Sequence, residues 1–277
     1  MLNTKLYPFL SDIGALRRST FVEGLRRSFL ETGVATIPEF LSTRGLHEAV
    51  TGCQNADNKT TKDCYVTDDD HNAYLLPASP DYPPSHIRNR LMRTKVASLA
   101  GDELPPGGAL LSVYENVALR RLVQSVVFGD EKTPIYLSSD PLGRCSVNVF
   151  KEGWKHSYHF DESEFSTTLM LQKPLAGGTF EYTPRLRKSQ DEYAFNVVED
   201  VIENEDTDYA NLKAGSSVKA LQFEPGTLSI FAGRYSLHRV SNVEGPKDRL
   251  VAVFTFAREE GFKNSPEVQK LFWGRTS

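Results

Sequence analysis

Apolar positions recur at helical spacing in the first half of the chain and in strand-like runs in the second. Phe21, Leu25 and Phe29 are spaced by four, with Val22 and Leu30 flanking the stripe, which predicts an amphipathic helix over residues 18–30 that Gly33 ends. Residues 34–38 then predict a short strand closed by Pro38. Residues 42–50 predict a second helix with Ser42 or Thr43 as its cap. From about residue 51 to 84 the chain is polar, acidic and rich in turn residues, including Asp68-Asp69-Asp70 and Pro80-Asp81-Tyr82-Pro83-Pro84, and predicts a long irregular segment. Such a segment reads first as a solvated loop, with a lid over a site as the alternative, since long loops in compact domains are uncommon unless functional. Residues 111–128 return to a helical pattern, with Leu119, Leu122, Val123 and Val126 on one face and Gly129 as the stop.

Beyond that point strand-like pieces dominate, at residues 145–150, 158–161, 166–172, 178–182, 218–223, 227–232 and 250–257. Turns such as Pro174-Leu175-Ala176-Gly177-Gly178 and Glu224-Pro225-Gly226 separate them. Short antiparallel strands of this kind build closed or double-sheet structures. The predicted architecture is therefore α+β: a double-stranded β-helix (a cupin-like jelly roll) buttressed by N-terminal helices. It is read as one domain over residues 1–277, with helical and irregular support and a lid over 1–130, the core over 131–260, and a tail over 261–277 that covers the site. An acidic insertion at about 185–215 holds Glu199, Asp200, Glu203, Glu205, Asp206 and Asp208 beside Val197, Val198, Val201 and Ile202. It reads as a helix with one solvated face, since it lacks the loop glycine of a calcium-binding EF-hand.

With 39% hydrophobic and 25% charged residues the composition is that of a globular protein, not a disordered or fibrous one. The net charge of -4 argues against a nucleic-acid partner, which calls for a clustered basic excess, and favours a small molecule. The N-terminus is broken by polar residues and Pro8 before any signal-peptide core forms, and no run approaches the ~18 apolar residues of a membrane helix. Three cysteines, Cys53, Cys64 and Cys145, without metal-like spacing suit a reducing compartment. The expected location is thus cytoplasmic, away from membranes.

His159-Phe160-Asp161 carries the first chemical signal. On a strand, residues i and i+2 share a face, so one strand delivers an imidazole and a carboxylate to one point while Phe160 packs on the other side. His-x-Asp alone arises easily by chance. A downstream histidine, His238, directly after a predicted strand, raises its weight. Two histidines and one carboxylate leave three metal positions open, as Fe(II) enzymes binding a chelating co-substrate and oxygen require, although zinc can occupy such a set. Arg249, eleven residues beyond His238 at the start of the last apolar strand, is placed to grip the far carboxylate of 2-oxoglutarate, the alternative being a surface arginine that follows the Gly245-Pro246-Lys247-Asp248 turn.

The order His159-x-Asp161, Gly177-Gly178-Thr179-Phe180-Glu181, His238 and Arg249 resembles the Fe(II)/2-oxoglutarate oxygenase superfamily over about residues 145–257. Asn148-Val149-Phe150, residues 154–160, Phe165-Ser166-Thr167-Thr168-Leu169 and Leu271-Phe272-Trp273-Gly274-Arg275 extend the resemblance over most of the chain. They are similar to radical halogenases and hydroxylases of free amino acids such as lysine. The resemblance implies Fe(II), 2-oxoglutarate and O2, with His159, Asp161 and His238 as metal ligands and with Arg249, Asn148 and Thr168 around 2-oxoglutarate. It further implies that His156, Glu162 and Trp273 handle the amino acid's polar groups, that Thr255 and Val253 line its side chain, and that an upstream arginine, Arg88 or Arg93, meets its carboxylate. Halogenating members carry glycine at the position of Asp161, so the carboxylate here implies hydroxylation. Val253 stands where lysine-acting members suggest a polar residue, and no acidic residue lies at 142–144. Both departures disfavour lysine and suit a less polar side chain, because an unpaired ammonium there would be costly.

The expected activity is oxidation of an unactivated C–H bond of a free amino acid or related small molecule, releasing succinate and carbon dioxide. Desaturation or ring closure at the same iron centre is an alternative. So, from another class, is a non-catalytic β-barrel binding protein, since fold does not fix function.

Overall fold

The computed structural model describes residues 1–54, 64–130, 132–204 and 218–277. In the N-terminal half, α1 (Ile13–Arg17) and α2 (Thr20–Thr32) precede β1 (Val34–Ile37), α3 (Thr43–Gln54), β2 (Tyr65–His71) and β3 (Met92–Leu99), and α4 (Ala109–Tyr114) and α5 (Val117–Val127) follow. After them come β4 (Tyr136–Leu137), β5 (Cys145–Phe150), β6 (His156–His159), β7 (Ser166–Gln172), β8 (Ala176–Gly177) and β9 (Phe180–Tyr182). The chain closes with α6 (Phe195–Glu203), β10 (Lys219–Ala220), β11 (Leu228–Phe231), β12 (His238–Val240), β13 (Val243–Glu244), β14 (Arg249–Ala257) and α7 (Pro266–Trp273).

The major sheet runs in the order β1-β11-β7-β14-β5-β3-β2, with β4 on β14, and the minor sheet in the order β10-β9-β12-β6. All these pairs are antiparallel, and β13 pairs with β8 as a separate ribbon. Two sheets of short antiparallel strands beside helices give the jelly-roll architecture that the strand pattern predicts.

Side-chain alternation decides which face of the major sheet meets the helices. On β14, Leu250, Ala252, Phe254 and Phe256 enter the main apolar core, while Arg249, Val251, Val253 and Thr255 line a cavity on the other side. β5 repeats this with Cys145, Val147 and Val149 in the core and Ser146, Asn148 and Phe150 facing the cavity. On β7, Leu169 and Leu171 pack outward whereas Ser166 and Thr168 face in. The outward rows bury against α2, α4 and α5, including Leu25, Phe29, Leu111, Leu119, Leu122, Val123 and Val126. Burying each such side chain stabilises the fold by about 1.5–3 kcal/mol.

Several expectations need correcting. The stripe of α2 that reaches the core is Val22, Leu25 and Phe29, while Phe21 and Leu30 are exposed. Phe21 instead stacks on Phe9 at 6.1 Å. The helix predicted over 111–128 is two helices, because Asn116 caps α5 by accepting from Ala118 N. The segment read as irregular from 51 to 84 contains β2, whose polar residues obscured it: Asp68 faces Arg93 and Lys95 across the β2–β3 pair, and ion pairs replace apolar contacts. Strands β1, β2 and β3 all join the major sheet, so the core is not confined to 131–260. The predicted strand at 218–223 shrinks to β10. In the acidic insertion, α6 buries Val198, Val201 and Ile202 and exposes Val197, as one packed face requires. Glu205, Asp206 and Asp208 lie outside the described residues.

Candidate active site

The minor sheet supplies the metal-type donors. His159 ends β6, His238 opens β12, and the two are directly paired across the ladder. His238, expected directly after the strand predicted over 227–232, thus opens a further short strand of its own. Asp161 lies two residues beyond His159, held by its N–H donating to Gly233 O at 3.1 Å. One donor atom from each of His159, Asp161 and His238 falls within 4.8 Å of the others. Tyr158 and Phe160, on the opposite face, pack with Val198, Val201 and Ile202 of α6. A register shift in β12–β6 lets His156 share the His159 side, where the two rings stack at 3.8 Å between centroids.

Hydrogen bonds fix the orientation of both imidazoles. His159 Nδ1 lies 2.8 Å from Ser157 O and His238 Nδ1 lies 2.9 Å from Ser236 O. A carbonyl only accepts, so each Nδ1 donates its hydrogen there and each Nε2 is the ring atom presented to Asp161. Asp161 Oδ1 is 3.3 Å from His238 Nε2 and 3.6 Å from His159 Nε2. Burial alone would raise the Asp161 carboxyl, but the two histidines hold it well below the usual carboxylate range. Burial, followed by the proximity of His238, lowers His159. Metal binding by all three requires a deprotonated carboxylate and the loss of any proton on the two Nε2 atoms, which a divalent ion would replace.

The cavity reaching from these groups into the barrel has a volume of about 160 Å³. Arg249 lines it, 2% exposed, without a hydrogen-bond or ion-pair partner among the described residues and with its Nε left unpaired. Its guanidinium rests 5.3 Å from the Phe150 ring centroid, and burial pushes its pKa down to about 9. A buried, unpaired cation is costly, and a ligand carboxylate entering the cavity would relieve it. Asn148 also lines this space, accepting Ser98 Oγ at 3.1 Å, which leaves its amide N–H groups free to donate inward, and Thr168 lies nearby on β7. The donor set fits a metal of the iron type, and the orphaned arginine fits a carboxylate co-substrate.

His156, Glu162, Val253, Thr255 and Trp273 all line the same cavity. His156 Nε2 and Trp273 Nε1 are buried without partners, whereas Thr255 Oγ1 donates to Gly143 O at 2.9 Å. Burial, then the neighbouring His159, places His156 well below the ordinary imidazole value. Glu162 Oε2 accepts Ser265 N at 3.0 Å, just before α7, and Asn264 Nδ2 donates to the buried Asp140 at 2.7 Å. These bonds seat α7 so that Val268, Phe272 and Trp273 cover one side of the cavity.

Neither upstream arginine lines it. Arg93 pairs with Asp68 and Asp70 on the exposed side of β2–β3. Arg88 is buried in the outer aromatic layer, between Tyr74 at 5.9 Å and Tyr193 at 5.7 Å. Other lining residues gave no warning in the sequence: Ser163, Ser166 and Asn264 are ordinary loop or strand residues until folding brings them together. Leu75 is equally silent in the sequence, although in the structure it lines the cavity with φ at 52°, a left-handed backbone that bulky residues avoid.

Among the described residues, no helix is long and apolar enough to cross a membrane. No curated protein matches the chain in sequence. Solved structures share its fold at low identity. A 2OG-Fe(II) oxygenase family oxidoreductase from Burkholderia pseudomallei is 14% identical, covers 87% of this chain and 92% of its own, and has a TM-score of 0.51. HygX from Streptomyces hygroscopicus, solved with nickel, 2-oxoglutarate and hygromycin B, is 13% identical over 84% of this chain and 86% of its own, at a TM-score of 0.52. AviO1 from Streptomyces viridochromogenes Tue57 is 12% identical over 89% and 100%, at 0.54. The fold is thus that of 2-oxoglutarate-Fe(II) oxygenases, and because the sequence model described as Halogenase D matches residues 99–271, more than half of its length, the chain belongs to the Halogenase D family.

Proposed function

We propose that the protein is an Fe(II)- and 2-oxoglutarate-dependent oxygenase that hydroxylates an unactivated carbon of a free amino acid with an aliphatic side chain. The observation that carries this reading is the pairing of the His159/Asp161/His238 donor set with an orphaned arginine, Arg249, in one cavity. His159, Asp161 and His238 would hold the iron, and Arg249, with Asn148 and Thr168, the distal carboxylate of 2-oxoglutarate. Iron, 2-oxoglutarate and O2 together supply an oxidant able to take hydrogen from an unactivated C–H bond, with succinate and carbon dioxide released.

The remaining work is positioning. Trp273 Nε1 is a free donor suited to a carboxylate, and Glu162 and the neutral His156 suit an ammonium group. Thr255 and Val253 would flank the side chain. Phe272, Val268 and Trp273 keep water from the reacting carbon. The acidic residues lining the cavity are Asp161 and Glu162, one of the donor set and the other tied to Ser265 N, so a second ammonium on the substrate would lack a partner. A carboxylate at position 161 supports oxygen transfer over halogen transfer, because it fills the position a halide would need.

The test is succinate release by protein reconstituted with Fe(II), given 2-oxoglutarate and O2 across a panel of amino acids, with mass spectrometry of the products. An aliphatic amino acid that stimulates succinate formation and gains ~16 Da, one oxygen atom, is the expected result. Loss of two hydrogens would replace hydroxylation by desaturation or cyclisation. The carbocyclase SnoK, which shares the fold at 14% identity, is described as using α-ketoglutarate in a ring closure. No metal-dependent turnover of 2-oxoglutarate under any condition would favour a binding protein.

A further inference from the structure

The structure treats the two oxygens of Asp161 differently. Oδ1 faces both imidazole Nε2 atoms, at 3.3 and 3.6 Å. Oδ2 turns away and lies 2.7 Å from Ser166 Oγ, on the first residue of β7. An ionised carboxylate can only accept, so the Ser166 hydroxyl hydrogen belongs to Asp161. Ser163 Oγ, 3.2 Å from Ser166 Oγ, must then donate to Ser166. The result is a directed chain, Ser163 to Ser166 to Asp161, ending on the oxygen that does not face the histidines. The ladder holds Ser166 rigidly, pairing it with Thr255 on one side and Phe231 on the other.

Gly233 crowds the same carboxylate from the β11–β12 connection, and Oδ2 is the atom a Cβ there would meet first. Besides accepting from Asp161 N, it stands so close that a Cβ there would lie 2.5 Å from Asp161 Cγ and 2.8 Å from Asp161 Cβ. Gly233 is not among the glycines with positive φ, so space for the carboxylate, not backbone freedom, is what requires glycine.

We propose that Ser166 and Gly233 form a socket that makes Asp161 a one-oxygen ligand, with Ser166 as the positioning residue. The inference rests on the reading of His159, Asp161 and His238 as a metal site. Its consequence is coordinative: a carboxylate free to turn could offer both oxygens and take one of the three positions that a chelating acid and oxygen need. Holding Oδ2 on a hydroxyl prevents this.

The experiment is Co(II) titration of the metal-free 277-residue chain, following the visible absorption of the bound ion, for wild type, Ser166→Ala, Ser166→Thr and His159→Ala. Loss of an outer-shell partner costs about 10–100-fold in metal affinity, so Ser166→Ala should weaken Co(II) by that factor and change the band shape and intensity. Ser166→Thr, which keeps the hydroxyl, should restore both. Wild-type affinity and spectrum in Ser166→Ala, while His159→Ala loses binding, would overturn the socket and leave the metal site standing. Undiminished binding by His159→Ala would remove the metal assignment and the socket with it. A second measurement uses the apo protein: Gly233→Ala should lower its melting temperature, and adding Asp161→Gly, which removes the crowded carboxylate, should recover it. Equal melting of Gly233→Ala and wild type would also overturn the proposal.

Discussion

Arg249 and Phe150 face each other across the β14–β5 ladder, with the guanidinium 5.3 Å from the ring centroid. The ring supplies partial compensation through its π face, but no anion accompanies the cation. A protein that keeps a buried arginine in this state pays for it in stability until a carboxylate arrives. Arg249→Met, close in volume and uncharged, is expected to raise the melting temperature of the ligand-free protein by a few degrees, in line with the ~1–4 kcal/mol gained when buried ions become well-packed apolar groups. It should also abolish stabilisation by 2-oxoglutarate and cut its binding at least ~100-fold, the cost of losing a charge-assisted bidentate contact. Differential scanning fluorimetry with and without 2-oxoglutarate checks both, and a variant destabilised without ligand would contradict the argument.

Leu75 divides the cavity from the cleft outside it: it lines both spaces, as does Val268 of α7. Its left-handed backbone is held by Asn72, whose Oδ1 accepts Tyr74 N at 3.0 Å and whose Nδ2 donates to Leu76 O at 2.6 Å. Leu75→Gly should relieve about 1–2 kcal/mol of backbone strain while costing about 0.5–1 kcal/mol in chain entropy, and so leave stability nearly unchanged. Opening the mouth admits water, so the ratio of oxidised product to succinate should fall. An unchanged ratio, measured by mass spectrometry against succinate release, would show that Leu75 does not seal the cavity.

How much of this was readable beforehand differs by element, for physical reasons. Strands β5, β7 and β14 are visible because alternation on a two-faced sheet leaves a period in the sequence. β2 is hidden because its pairing with β3 rests on ion pairs rather than apolar burial, and polar strands look like loops. His159 and Asp161 are legible since two residues on one strand face carry their own geometry. Ser166 and Gly233 are silent: their meaning depends on β7 and the β11–β12 connection arriving beside Asp161, which no local pattern states. Arg88 illustrates the opposite failure. The family resemblance implied a substrate contact for it or for Arg93, but its neighbours Tyr74 and Tyr193 hold it in the layer outside the barrel.

His71 packs edge-on against His156 and His159, at 5.6 and 5.9 Å between centroids. Burial, then the neighbouring His159, pushes its pKa down to about 4. The folded ring thus stays neutral while the unfolded one takes a proton near pH 6.5, so the unfolded state binds more protons between the two values and stability falls as pH drops through that window. Between pH 7 and pH 5 this amounts to about 2 kcal/mol from His71 alone. Urea unfolding of the metal-free protein at the two pH values should show a loss at least this large, and His71→Gln, which can still bond Thr94, should reduce it. An equal loss in the variant would assign the acid sensitivity to His156 and His159 instead.

Val253 is paired with Ser146 on one side and Thr168 on the other, and Thr168 is paired with Ser229 beyond it. It is the one apolar member of that four-strand row, and it faces the cavity between Val251 and Thr255 of the same strand. A polar group there would have ready neighbours, so the apolar choice bears on what the cavity accepts. Val253→Asn should lower kcat/KM for an aliphatic amino acid about 10–200-fold, the range in which pocket contacts of methyl size discriminate, while Co(II) affinity and 2-oxoglutarate binding stay at wild-type values. Steady-state kinetics over the amino-acid panel, with metal and co-substrate titrations alongside, measure these separately. If all substrates lose activity in proportion to a loss of 2-oxoglutarate binding, Val253 shapes the co-substrate site. If only the ranking of side chains changes, it borders the carbon that is oxidised.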